Sequence, residues 1–232
     1  MNANRTVKKL RRSNLSEDAY ATVKNLLLEG KRYPHGGKIS VEELSRDLGV
    51  SRTPIWGAIN RLEAEGVVEI VPRQGVYLLS FDPERAVEIY HAREALEGMA
   101  ARLAATQGKS RNLDLAEGAL KKQESALAIS DVDGYLATAL AFHQSIVQAS
   151  GNKTLERLLG VVYVQIQAMR IRMKYVPTKL PDSFDDHRKI LQALKSHDPE
   201  LAEREARAHI RTLTAEILRE SGGGPRDKAS GV

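Results

Sequence analysis

Apolar residues recur every three or four positions through "LSEDAYATVKNLLLEG", where Tyr20, Val23, Leu26 and Leu27 share a stripe and Gly30 ends it; the spacing predicts a first helix. "SVEELSRDLGV" opens with Ser40 and Glu43 placed as a capping box, which predicts a short second helix over 40–47. A third starts near Ser51, tolerates Pro54 in its first turn and stops at Gly66. After Gly66 the period changes. "VVEIV" and "VYLLS" are β-rich runs on either side of "PRQG", which predicts a hairpin, while "KRYPHGGK" between the first two helices reads as a loop. Three helices and a hairpin, with "LGV" as the tight turn before the third helix, predict a winged helix-turn-helix.

From Asp82 to about Glu220 the period is helical throughout. Six helices are expected near 83–106, 110–129, 132–149, 153–174, 182–196 and 199–219, with Asp198 and Pro199 as the cap and first-turn residues of the last. The expected fold is therefore mainly α: a basic arm at 1–13, the winged helix-turn-helix at 14–80, an all-α six-helix bundle at 81–220 and a polar, flexible tail at 221–232.

Composition narrows the function classes. A chain of 232 residues is long enough for two domains that each bury a core, and 5% aromatics suits an alanine- and leucine-rich helical protein. Lys and Arg number 35 against 30 Asp and Glu, a formal charge of +5 that leans mildly toward polyanions. The lack of cysteine removes disulfides, thiolate nucleophiles and Cys-ligated zinc, and suits a reducing compartment. No apolar run reaches membrane-spanning length and no signal peptide precedes the first helix, so a cytoplasmic protein with no membrane partner is expected.

Opposite the stripe Ile55, Ala58, Ile59, Leu62, the third helix presents Arg52, Trp56, Asn60 and Glu63. In the major groove Arg can pair with guanine and Asn with adenine, and the helix start at Ser51, Arg52 and Thr53 favours a phosphate. Arg73, Gln74 and Gly75 form the wing tip, within reach of the backbone or minor groove. Trp56 can stack on a sugar or touch a thymine methyl group, or it can pack on protein. Residues 15–80 resemble the N-terminal domain of the GntR family of bacterial transcription regulators, on Leu48, Gly49, Val50, Ser51, Arg52, Thr53 and Pro54, then Leu62, Glu63, Glu65 and Gly66, and Arg73 and Gly75 in the wing. Trp56 and Gly57 stand where that family usually has an arginine-glutamate pair.

In the second region His143, His187 and His209 each sit on the apolar stripe of a different helix. Three imidazoles facing one interior suit zinc, nickel or manganese and leave positions open for water or a small anion. Arg93 also lies on an inward stripe and needs an anionic partner, either Glu97 one turn on or a ligand carboxylate; Gln167 and Arg170 are further effector-binding candidates. Residues 85–215 resemble the ligand-binding (FCD) domain of the FadR-like branch of the same family, in its six-helix, VanR-type group, through "HAREALEGMAARLAA", "FHQSIVQASGN" and "DDHRKILQAL" with "HDPELAEREARAHI". The resemblance implies a metal set of those three histidines and an aspartate one turn before the first, where this chain has Ala139. It implies a homodimeric, DNA-binding transcription regulator, not an enzyme, that binds an operator with inverted half-sites and responds to a small carboxylate. The alternatives are a metal-dependent enzyme with a DNA-binding appendage and an effector-independent DNA binder.

Overall fold

The structure, a computed structural model, describes residues 12–28, 32–33, 36–107, 110–173, 175 and 177–222, which divide into two compact units between Ser80 and Phe81. The first contains α1 (Arg12–Leu28), β1 (Lys38–Ile39), α2 (Val41–Asp47), α3 (Arg52–Ala64), β2 (Val68–Val71) and β3 (Gly75–Leu78). Its core follows the helical stripes, except that Leu26 is half-buried and Leu28 is buried in α1. Tyr20, Val23 and Leu27 of α1, Leu44 of α2 and Ile55, Ile59 and Leu62 of α3 are all buried. Ser40 Oγ accepts from the Glu43 amide at 3.2 Å, which starts α2 where the capping pattern expects it. At the end of α3, Gly66 adopts φ 69°, and the Gly66 and Val67 amides donate to the Glu63 and Leu62 carbonyls at 2.9 Å each, a Schellman closure. This turns the chain directly into β2.

The sheet has order β1-β3-β2, with Val68 opposite Leu78 and Ile70 opposite Val76 in the hairpin. The strand β1 corrects the sequence expectation of a loop there. Two residues cannot display an alternation. Lys38 and Ile39 become a strand only because β3 offers its second edge, with Lys38 opposite Tyr77 and Ile39 opposite Val76.

Gly57 sits in the middle of α3 at an exposed position, and a Cβ added there would meet nothing within 4 Å. Gly57→Ala is therefore expected to raise the stability of this unit by about 1 kcal/mol, the difference in helix propensity. A urea titration followed by circular dichroism checks it. A lowered midpoint would mean that the helix requires glycine for a reason other than space.

The second unit contains α4 (Pro83–Gln107), α5 (Ser110–Ala128), α6 (Val132–Ala149), α7 (Lys153–Met173), α8 (Leu180–Lys195) and α9 (Pro199–Gly222). The six helices fall where the periodicity expects them. Two boundaries move by more than one residue: α9 runs on to Gly222 instead of ending at 219, and α8 begins at Leu180 rather than 182, because Pro181 occupies its first turn, where no amide donor is required. Asp131 and Asp198 cap α6 and α9, accepting from Gly134 and Leu201 amides at 2.9 Å. Ala101, Ala104, Ala105, Ala193, Ala202 and Ala206 surround Phe142, Ile190 and Leu194 in the core, and such small side chains let helix axes approach closely. Arg12 and Ser13, assigned from sequence to the arm, open α1, and Ser221 and Gly222 close α9; the rest of the arm and tail lies outside the described residues. No helix among the described residues is long and apolar enough to cross a membrane.

Candidate functional site

Two sites emerge, one in each unit. In the first, the α3 stripe that packs inward leaves Ser51, Arg52, Thr53, Trp56 and Asn60 exposed along the opposite side. Ser51 precedes α3 without using its side chain as a cap, so the hydroxyl and the first amides of α3 stay open at the surface. Arg52 Nη1 lies 3.2 Å from Glu42 Oε1 of α2. Trp56 is 40% exposed and lines a groove between α3 and the wing together with Arg52, Arg73, Gln74 and Gly75. Within its own unit, then, the indole is not spent on packing. At the wing tip Arg73 takes φ 64° and Gly75 φ 128°, so the backbone at 75 calls for glycine, while a Cβ there would meet only the flexible end of Lys38. Glu63 departs from the sequence reading. Its carboxylate accepts from the Ile70 amide at 3.1 Å and so ties α3 to β2 instead of standing free on the outward stripe.

In the second unit α6, α8 and α9 bring His143, His187 and His209 together, all buried, with one ring nitrogen of each within 4.8 Å of the others. Two rings have an oxygen acceptor at Nδ1, Glu97 Oε2 at 3.0 Å for His143 and Gln123 Oε1 at 2.7 Å for His187, and Asp186 Oδ2 stands 3.6 Å from His209 Nδ1. A carboxylate or amide oxygen only accepts, so in His143 and His187 Nδ1 carries the proton and Nε2 keeps the lone pair. His187 Nε2 and His209 Nε2 then face each other 3.2 Å apart. Two neighbouring ligands of a zinc ion, each about 2 Å from it, stand about 3 Å from one another, so this spacing fits a shared cation. Burial depresses all three imidazoles, taking His143 down to about 4 against the opposing charge of Glu97, and so keeps them in the neutral form that binds metal. The residues fit a divalent ion.

Beside the histidines lies a small cavity of about 20 Å³ that opens toward solvent. Arg93 Nε donates to Glu97 Oε1 at 2.7 Å, so Glu97 bridges Arg93 and His143 with its two oxygens. Burial disfavours the Glu97 charge, yet Arg93 and His143 outweigh it and hold the carboxyl well below the usual carboxylate range. Four donors in the cavity wall have no partner: Arg93 Nη1, Arg170 Nε, and the hydroxyls of Tyr135 and Tyr163. Each costs roughly 1–3 kcal/mol if left unmet. Ala139 also lines the cavity, one turn from Tyr135 and one from His143.

Of the sequence candidates, Arg93, Arg170 and the three histidines meet at this cavity, whereas Gln167, half-buried on α7, is not among its lining residues. Sequence reasoning finds no acidic residue near the histidines. The structure corrects this with Glu97 and Asp186, which come from α4 and from the residue before His187. Tyr135, Tyr163 and Gln123 were missed too. Tyr163 precedes Arg170 by seven residues and Tyr135 precedes His143 by eight, intervals that share a helical face and were legible in principle. Nothing in "KKQES" marks Gln123.

The model of "Bacterial regulatory proteins, gntR family" matches residues 15–78, and that of the "FCD domain" matches 88–212, more than half the chain. The chain is 28% identical over 218 residues to the "Probable D-xylose utilization operon transcriptional repressor" of Paenarthrobacter nicotinovorans, covering 94% of this chain and 95% of that one. It is 25% identical to the "Glc operon transcriptional activator" of Escherichia coli strain K12, over 87% of this chain and 88% of the other. Among solved structures, E. coli McbR/YncC shares the fold, with a TM-score of 0.74 at 21% identity over 89% of this chain and 98% of that chain. These relatives are transcription regulators, not enzymes. With one family model on each of its two units, the chain belongs to the GntR family of bacterial regulatory proteins and carries its FCD domain.

Proposed function

We propose that this GntR-type regulator binds, as a homodimer, a duplex operator with two inverted half-sites, and that its helical unit senses a small carboxylate. Ser51, Arg52, Thr53, Trp56 and Asn60 of the α3 face, with Arg73, Gln74 and Gly75 of the wing, make the DNA contacts in this reading. The observation that carries the sensing role is the set of four buried, unmatched donors at one cavity, two of them on arginines, beside three neutral imidazoles. An anion supplies what they lack. A divalent ion, zinc, nickel or manganese, held by His143, His187 and His209 belongs to the same reading, and when bound it would add positive charge to the cavity wall. Glu97, Gln123 and Asp186 would orient its ligands. An acid alters DNA affinity only to the extent that it binds the DNA-competent and incompetent arrangements unequally.

The test is to recover bound fragments from genomic DNA and titrate them by fluorescence anisotropy across salt concentrations, with and without organic acids and divalent metals. Fragment-specific affinity that falls steeply with salt, and shifts when an acid is added, is expected. Elemental analysis of protein purified without chelator should find close to one divalent ion per chain. Equal affinity for recovered and random DNA would refute the DNA reading. Affinity indifferent to every acid would refute the sensing role.

A further inference from the structure

The cavity has two polar ends. Tyr163 and Arg170 stand seven residues apart on α7, so about 10 Å of helix separates them along one face. Tyr135 and His143 stand eight residues apart on α6. Because only residues 150–152 connect these helices, α6 and α7 run back along one another, so Tyr163, nearer the connection, lies toward the His143 end and Arg170, farther from it, toward the Tyr135 end. The electrostatic neighbours agree. Tyr163 feels Glu97 and Arg93, whereas Tyr135 feels Arg170 and Asp186.

Charge balance differs between the ends. At the first, Arg93 is neutralised by Glu97 but keeps a buried Nη1 with no acceptor, next to the unmatched Tyr163 hydroxyl. At the second, Arg170 has no carboxylate partner among the described residues, and its Nε is buried and unmatched, while the Tyr135 hydroxyl, beside Ser183, has no charged acceptor. Midway on the α6 face stands Ala139. Its methyl group brings no negative charge to the middle of the cavity wall.

We infer that the effector is a two-ended acid, a dicarboxylate. One carboxylate accepts from Arg93 Nη1 and Tyr163 beside the histidines, the other from Arg170 Nε and Tyr135, and the ligand's carbon chain crosses over Ala139. A monocarboxylate would leave one of the two donor pairs buried without an acceptor, and one charge cannot serve both arginines. The inference rests on the carboxylate-sensing reading above and narrows it to a class of acid.

The experiment is isothermal titration of the full chain, both chelator-treated and zinc-loaded, with three diacids (succinate, glutarate, adipate) and their length-matched monoacids (butyrate, pentanoate, hexanoate). At least one diacid should bind about 10- to 100-fold more tightly than its monoacid, the fold-change of one or two charge-assisted hydrogen bonds. Arg170→Met and the milder Tyr135→Phe, each checked for a native melting curve, should erase that preference, bringing diacid affinity down to that of the matched monoacid. Ala139→Asp should weaken the diacid more than the monoacid. Equal affinity of each wild-type pair, or a preference that survives both Arg170→Met and Tyr135→Phe, would overturn the two-ended acid and leave carboxylate sensing standing. Absence of binding by all six acids would overturn both.

Discussion

Glu97→Gln is expected to lower the melting temperature of the helical unit by about 10 °C or more, the shift that a loss of about 3–5 kcal/mol produces in a domain of this size. The carboxylate and both its partners are buried, and one oxygen serves Arg93 while the other serves His143. An amide in its place leaves the Arg93 charge uncompensated and turns an NH₂ toward a donor, so the variant loses an interaction and buries a charge at once. Replacing Arg93 and Glu97 together by methionine should cost far less, because a missing pair is cheaper than a broken one. A wild-type melting point in Glu97→Gln would sink the claim that this pair is structurally coupled. The same network fixes the pH response. His143 titrates in the fold near 4, below its unfolded value of about 6.5, so the unfolded chain binds more protons in between; stability is full above about pH 6.5 and declines toward pH 4, by roughly 3 kcal/mol for this residue. Glu97, with its carboxyl held down, contributes in the same direction: its stabilisation is complete above the ordinary carboxylate pKa and is lost as the pH falls below it. Melting curves of the wild type between pH 8 and 4 should therefore be flat at first and then fall. A maximum near pH 5 would contradict both assignments.

Arg52→Ala should remove discrimination between recovered fragments and random DNA, with little effect on stability. The Arg52–Glu42 ion pair is solvent-exposed on both sides, and such pairs contribute about 1 kcal/mol or less, so the fold should survive. A bidentate arginine–guanine contact is worth about 1–3 kcal/mol of discrimination, roughly 10- to 100-fold, and a dimer on inverted half-sites loses it twice. Competition binding between a recovered fragment and a random duplex of equal length measures the ratio. If the variant still discriminates, the reading of bases belongs to other residues on the face, with Trp56 and Asn60 first in line. Trp56 fluorescence offers a parallel readout, since the indole is exposed in the groove where DNA would lie.

Much of this protein was decided locally. The helical period, the Ser40, Asp131 and Asp198 caps, the Gly66 stop and the switch to β-rich runs after it depend on residues within a few positions of one another, and from the chain alone they predict the helices found among the described residues and the wing hairpin, with ends off by up to about three residues. The outward face of α3 was legible for the same reason: its inward stripe is the core, so its opposite side has to be the surface. Arg93 and the three histidines stood out because a polar side chain on an apolar stripe is a conflict within one helix.

The rest depended on which helix faces which, and no local pattern encodes that. A two-residue strand exists only because β3 had a free edge. Glu63 looked available on α3 until the hairpin folded back and gave its carboxylate an amide. Gln123 is an ordinary polar residue of α5 until α8 presents His187 to it, and Glu97, which sequence paired with Arg93 alone, holds two groups because α6 brings His143 to its second oxygen. Ala139 reads in the sequence as a missing ligand; only the packing of α6 against α7 makes it the middle of a cavity wall. Spacing along a helix determined which side chains would be buried, and helix packing determined which of their polar atoms would find partners and which would be left for a ligand.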